Sequence, residues 1–265
     1  MSLSADFHNH SCLSPCGSLD LSPRLLVDRA AARGLKVLAL TDHNSSLNCP
    51  AFAKLCLHRG IIPIYGMEAT TSEEIHVLCL FTGLAACCAF SEYAYSILSP
   101  FLNNPEKTGD QVYVDEEDTI LGEVEYYLIN PLDLSVDDIG ARVGEYGGIV
   151  IPAHVDRAAF SMFSQLGAVV EGPWAALECT RIPPVTVSGA GFEPAPLDTL
   201  DYPLITSSDA HYPEHVARRP FELDISPEEL LPGGPGTEAD MAALVRALEK
   251  RPRGLPLEVC TGGAH

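Results

Sequence analysis

The sequence predicts an α/β fold in which a parallel sheet is covered by helices, most naturally a barrel of βα units. Three observations carry this. The short runs "LKVLAL", "IIPIYG" and "IVIPAH" are apolar throughout rather than alternating, as strands buried on both faces are. Each follows a helical stretch that stops at glycine, so helix and strand alternate along the chain. A length of 265 residues at 46% hydrophobic composition is enough to bury one large core.

The elements follow in order. Ser22 and Pro23 open the helix "SPRLLVDRAAARG", which Gly34 stops before "LKVLAL". "CPAFAKLCLHRG" ends at Gly60 before "IIPIYG", and "EIHVLCLF" is another strand-like run. An apolar helical stretch, "GLAACCAFSEYAYSILSPFL", is followed by "NNPEKTGD" and by "QVYVDEEDTILGEVEYYLI", which reads as a β-hairpin with an acidic, solvated tip at residues 115–118. This stretch breaks the rhythm and reads as an insertion at about 84–130 within a single domain over 1–265. Ser135 caps "SVDDIGARVGEYGG", which ends at Gly147 and Gly148 before "IVIPAH". The connector "PGGPGTEAD" leads to a final helix, "ADMAALVRALEKR", and a last strand, "LPLEVC".

Composition narrows the function. No basic region precedes an apolar run and cleavage site at the N-terminus, and no stretch reaches about 18 uninterrupted apolar residues, so the expected location is cytoplasmic with no membrane span. Nine scattered cysteines fit reduced thiols better than a disulfide framework. A net charge of −20, from 36 acidic and 16 basic residues, argues against long nucleic acid as a partner, because phosphate backbones are bound through clustered Lys and Arg.

The chemistry lies at the strand ends. His8 and His10 are two apart where the first strand ends, so they share a face and can grip one ion. Asp42 and His43 follow "LALT", Glu68 follows "IPIYGM", His76 lies in "EIHVLCLF", His154 ends "IVIPAH", and Asp209 with His211 ends "LITSSDAH". Six of the nine histidines fall at or near such ends. A lone histidine in an apolar run is usually core, but this constellation points to metal. Cys12, Cys87 and Cys88 read as small buried thiols. Ser207 and Ser208 lie in no Gly-x-Ser-x-Gly elbow and shape the turn before Asp209 instead. Asp42 is placed to orient an imidazole or handle a proton. Arg157 and Arg181 are candidates for holding phosphate oxygens by a bidentate fork, with surface salt bridges as the other reading.

The motifs "DFHNHSCLS", "LTDHN", "GMEAT", "EIHVL", "IPAHVDR" and "SSDAH" stand in the order found in the PHP (polymerase and histidinol phosphatase) superfamily, and the chain resembles that family over nearly its whole length. The resemblance implies a distorted (β/α)7 barrel, here with a helix-plus-hairpin insertion. At the carboxyl-terminal mouth it implies two or three divalent ions, zinc, manganese or iron, and phosphoesterase activity. It places His8, His10, Glu68 and Asp209 around one ion and lets Glu68 bridge to a second held by His76 and His154. His43 and His211 fall on a third, with a further ligand from the segment around Pro15 and Cys16. There the sequence departs from the family, which commonly offers Asp or His, and Cys16 stands as the candidate.

The function expected is hydrolysis of a small phosphomonoester or nucleotide by water activated on the metals. The alternatives are a nuclease trimming short oligonucleotides, a weakly active metal-holding module, and a hydrolase of C–N bonds. The expected partner is a small phosphorylated substrate, and nothing in the sequence sets an oligomeric state.

Overall fold

The alternation of strand and helix is set by its caps. After β1 (Leu3–Asp6), the Ser22 hydroxyl accepts a hydrogen bond from the Leu25 amide and Pro23 opens α1 (Pro23–Ala32). Gly34, at φ 81, turns the chain into β2 (Val37–Leu40). α2 (Cys49–Arg59) ends in the same way at Gly60, and β3 (Ile62–Thr70), β4 (His76–Phe81) and α3 (Leu84–Ser96) follow. Next come the short α4 (Pro105–Thr108) and a hairpin of β5 (Val112–Val114) and β6 (Ile120–Glu123). Ser135 caps α5 (Val136–Glu145), which buries Val136, Ile139 and Val143 along one stripe before β7 (Ile149–Pro152). The remainder holds α6 (Met162–Leu166), β8 (Leu177–Glu178), β9 (Leu204–Ile205), β10 (Phe221–Leu223), α7 (Pro227–Leu230) and α8 (Met241–Glu249). The structure, a computed structural model, describes residues 2–185 and 196–253. The last strand expected at "LPLEVC" therefore lies outside the described residues. Among those described, no helix is long and apolar enough to cross a membrane.

Six strands form one curled sheet in the order β10, β1, β2, β3, β4, β7. β1, β2 and β3 run parallel as expected, but β4 is antiparallel to both β3 and β7. The all-parallel expectation is corrected here for a simple reason. Residues 71–75 are too few for the crossover a parallel connection needs, and they fold as a tight turn in which the Thr71 amide donates to the Ile75 carbonyl. Beyond β7 the pairing is carried on by hydrogen bonds. The Ala175 amide donates to Val150 (3.0 Å), Leu177 to Pro203 (2.8 Å) and His10 to Ala210 (2.9 Å), and β8 and β9 are parallel.

Both sheet faces are covered, which explains the unbroken apolar runs. Along β2, Val37 and Ala39 join one buried cluster with Ala5, Phe7, Ile64 and Ile151, while Leu38 and Leu40 join another with Leu26, Val27 and Phe52 from α1 and α2. α8 adds Ala243, Leu244, Ala247 and Leu248 to the first cluster beside Leu3 and Leu223, at the opposite end of β1 from His8. The hairpin tip, expected to be simply solvated, is pinned to these helices instead. Lys54 lies 2.6 Å from Glu116, and Arg24 lies 3.4 Å from Asp118.

Gly66, paired with Leu80 across β3 and β4, has no room for a side chain, because a Cβ there would collide with the Cys79 carbonyl oxygen. Gly66→Ala is expected to destabilise the protein by about 1–3 kcal/mol, read as a lower urea midpoint. An unchanged midpoint would contradict the β3–β4 pairing.

Candidate metal centre

The reversal of β4 decides where His76 lies. Thr70 at the end of β3 pairs with His76 at the start of β4, so His76 reaches the mouth from a strand's amino end while its neighbours reach it from carboxyl ends. His43 forms a parallel bridge with Glu68, and His8 and His10 leave β1 beside Asp209 and Ala210. Three residues that shape this mouth, Asn44 (φ 46), His154 (φ 31) and Asp209 (φ 47), sit in the left-handed region, a conformation that costs energy and clusters at functional sites.

The hydrogen bonds of His8 and His10 fix which nitrogen faces the centre. His8 Nδ1–H donates to Glu178 Oε2 at 2.9 Å, and the same oxygen accepts the His154 amide at 3.1 Å. Ser14 Oγ donates to Asp42 Oδ1 at 2.7 Å, so toward His10 Nδ1, 2.9 Å away, it can only accept. Both Nδ1 atoms therefore carry a ring proton, which leaves Nε2 of each imidazole, when neutral, to present a lone pair. Those two Nε2 atoms lie 3.1 Å apart. Each is 3.4 Å from Asp209 Oδ1, and they stand 3.3 and 3.4 Å from the two Glu68 oxygens. With both imidazoles neutral, acceptors crowd one point with no donor among them, an arrangement that fits a cation.

Glu68 continues the cluster. Its Oε1 is 2.8 Å from His76 Nδ1 and 3.0 Å from His154 Nε2, and its Oε2 is 3.1 Å from His43 Nδ1. Among the described residues, His43 Nδ1, both ring nitrogens of His76, His154 Nδ1 and Asp209 Oδ1 are buried without a hydrogen-bond partner. Three sets of ligand atoms are close enough to hold an ion: His8, His10 and Glu68; His43, Glu68 and His76; and His10, His43 and His211.

The electrostatics agree. Burial alone would raise Glu68, but His76, His8 and His43 hold it well below the usual carboxylate range. Asp209 is likewise lowered against its burial, by His8 and His10. Burial and the neighbouring His211 push His10 down to about 3, and burial lowers His43 and His154. Ionised carboxylates and neutral imidazoles are the protonation states that metal ligands need. His8 is the exception. Burial lowers it, but Glu178, Glu68 and Asp209 raise it well above its ordinary value, so these carboxylates call for one positive charge at this spot.

The structure thus gathers His8, His10, His43, Glu68, His76, His154, Asp209 and His211, whose ring lies 4.1 Å from that of His10. His43 stands between two groups instead of belonging with His211 alone. Cys16 joins none of the three sets. It is an exposed residue, and burial of its thiol with the negative charge of Glu68 raises that thiol to about 12, well away from a thiolate. Asp42 stands at one remove, accepting from the Ser11 amide (2.7 Å), Ser11 Oγ (2.6 Å) and Ser14, whose hydroxyl meets the His10 ring and accepts the His43 amide. Arg157 Nη1 lies 2.6 Å from Asp209 Oδ2 at the mouth, while Arg181 is exposed and makes no hydrogen bond or ion pair among the described residues.

Sequence reasoning missed Ser14 and Glu178. Both are ordinary residue types whose roles exist only through partners 28 and 170 positions away. Glu178 did carry one signal, since it ends the apolar run "AALE" as the other acids end theirs.

A family model described as the PHP domain matches residues 6–151. The chain belongs to the PHP domain family. Its expected nature as a metal-dependent hydrolase of phosphate esters rests on that membership and on the histidine and glutamate clusters above. An error-prone DNA polymerase of Symbiobacterium thermophilum is 40% identical over 72 residues, which are 26% of this chain and 7% of the polymerase, so the PHP chain spans a small part of that relative. Among solved structures, endonuclease Q of Pyrococcus furiosus matches with a TM-score of 0.61 at 18% identity, covering 96% of this chain and 57% of that one. A protein of Bifidobacterium adolescentis assigned as a metal-dependent phosphoesterase matches with a TM-score of 0.52 at 17% identity, over 96% of this chain and 97% of that one. These likenesses establish the α/β fold.

They also overturn one expectation. An endonuclease Q complex, with a TM-score of 0.62 at 17% identity over 96% of this chain and 58% of that one, holds a 27-mer duplex with an abasic lesion at its active site. In that neighbour long DNA reaches the active site, and the expectation of a small phosphorylated substrate with long nucleic acid disfavoured does not stand. The physical reason is that net charge sums over the whole surface, whereas a substrate meets the local charge of the mouth.

Glu178→Gln keeps the size of the side chain but removes the charge that fixes the His8 tautomer. It is expected to weaken divalent metal binding by about 10–100-fold in a calorimetric titration. Unchanged affinity would separate His8 from the metal centre.

Proposed function

We propose that this PHP chain is a metal-dependent phosphoesterase that hydrolyses phosphodiester bonds in nucleic acid. The observation that carries the metal reading is the meeting of His8 Nε2, His10 Nε2, Glu68 and Asp209 Oδ1 within 3.4 Å, all of them acceptors when the imidazoles are neutral. The proposed ligands are these four residues with His43, His76, His154 and His211, arranged for two or three divalent cations with Glu68 shared between sites. The proposed frame is a seven-stranded barrel of β1, β2, β3, β4, β7, β8 and β9, a single domain to which residues 84–130 add one wall.

Divalent cations bound there would lower the pKa of a coordinated water toward neutrality and offset charge on phosphoryl oxygens. The chain's own residues do the rest. Glu178, and Asp42 through Ser14, hold two imidazoles in the tautomer that can ligate. Asp209 presents one oxygen to the histidines and the other to Arg157, a partly exposed guanidinium whose remaining N–H groups would hold an incoming anion. No side-chain nucleophile is needed. The nucleic-acid reading is supported by the likeness to endonuclease Q and by the arginines along this side of the mouth.

The test is an assay with manganese, zinc or iron on single-stranded and abasic duplex oligonucleotides beside a panel of small phosphomonoesters. Oligonucleotide cleavage is expected, lost with chelator and reduced at least about 100-fold in Glu68→Gln together with metal content. Phosphate release from small monoesters alone would refute the substrate, and full metal content in the variant would refute the site.

A further inference from the structure

One flank of the mouth carries positive charge that carboxylates do not neutralise. Arg218 is exposed, with Nε donating to the Ser208 carbonyl at 2.7 Å and Nη2 to the Asp209 carbonyl at 3.4 Å. Arg219, half-buried, donates from Nη1 to the Thr180 carbonyl at 3.1 Å and from Nη2 to the Ser208 carbonyl at 3.4 Å. Exposed Arg181 directly follows Thr180, and Arg157 stands against Asp209. Arg157 and Arg181 thus follow β7 and β8, and Arg218 and Arg219, just ahead of β10, are bonded to the Ser208–Asp209 turn beyond β9, in a protein with 36 acidic and only 16 basic residues.

Carbonyl oxygens position a guanidinium without cancelling its charge. Among the described residues, Arg181, Arg218 and Arg219 form no ion pair. The carboxylates nearest Arg218 are otherwise engaged, Asp209 with Arg157 and Asp6 with the Ser208 amide and hydroxyl. A guanidinium has five N–H donors, so Arg218 and Arg219, with two contacts each, keep donors for another acceptor. Crowded cations without counter-charges are stabilised by a polyanion, and the spread of these arginines along a rim matches several phosphates better than one.

We propose that Arg218, Arg219 and Arg181 form a track for the phosphates flanking the scissile one, with Arg157 at its inner end, so that the site selects a nucleic-acid strand over an isolated phosphate ester. The inference rests on the nucleic-acid reading above. Such contacts go to the backbone, so the track adds affinity and register without base preference.

Wild type, Arg218→Gln, Arg219→Gln and the double variant are compared on a short single-stranded oligonucleotide and on bis(p-nitrophenyl) phosphate over a salt series. In the double variant KM for the oligonucleotide is expected to rise about tenfold, and the slope of log kcat/KM against log salt to fall by about 0.7 per lost contact. Turnover of the small diester stays within about twofold, because it never reaches the track. Arg218→Lys and Arg219→Lys, which keep charge but not the paired carbonyl bonds, should retain most of the salt slope. Parallel loss on both substrates would assign these arginines to holding the Ser208–Asp209 turn and overturn the track, as would unchanged oligonucleotide kinetics. Wild-type turnover of the small diester with neither cleavage nor binding of the oligonucleotide would remove the nucleic-acid reading itself, and the track with it.

Discussion

A single buried carboxylate organises the mouth. Glu68 is 1% exposed, far from the water that would normally hydrate its charge, and burying an ionised carboxylate without compensation costs several kcal/mol. Compensation comes from every side of the curled sheet: His8 from β1, His43 beyond β2, His76 from β4 and His154 beyond β7 all stand within 3.3 Å of its oxygens. The sheet's curl brings distant segments to one point, and the charge at that point gives them a reason to stay. Cations would complete the balance that imidazoles alone leave short.

The surroundings hold this point rigid. Glu178 ties His8 to the His154 amide, Asp42 gathers the loop carrying Ser11 and Ser14, and Asp6 fixes Ser208 ahead of Asp209. Asn44 donates to the Leu128 and Asn130 carbonyls at 2.7 and 2.8 Å and accepts the Thr70 amide at 3.0 Å, joining the wall made by residues 128–130 to the strand ends. Phe160 stacks on His76 with ring centroids 4.7 Å apart, and its carbonyl accepts the His76 amide. Left-handed backbone at Asn44, His154 and Asp209 persists because these bonds over-determine it.

Much of this was legible in the sequence, and what was not has identifiable causes. Ser22, Gly34, Gly60 and Ser135 marked element ends because caps act locally, over three or four residues. Histidines placed after apolar runs marked the mouth because strand ends collect at one face. The direction of β4 was hidden, since "HVLCLF", buried at every position, reads the same either way. Glu178 and Ser14 were hidden because a positioning residue is defined by its distant partner. Net charge misled because it sums over the whole surface and says nothing of the charge at the mouth.

The β3–β4 hairpin makes part of this site a matter of register rather than of loop shape. Glu68 and His76 ride on opposite arms of one ladder, with Thr70 and His76 its last pair. Their spacing is therefore ruled by backbone bonds, while the turn over residues 71–75 is tied to the entry of α5, where the Ser72 amide donates to the Leu134 carbonyl and Glu73 accepts the Val136 amide. Within that turn only Ser72 and Glu74 are exposed, and a change of side chain there leaves the ladder's register intact. A residue gained or lost within either arm would instead swing a ligand to the far side of the sheet, since side chains alternate with a period of two. A change of length in the arms is thus the one this part of the site cannot absorb.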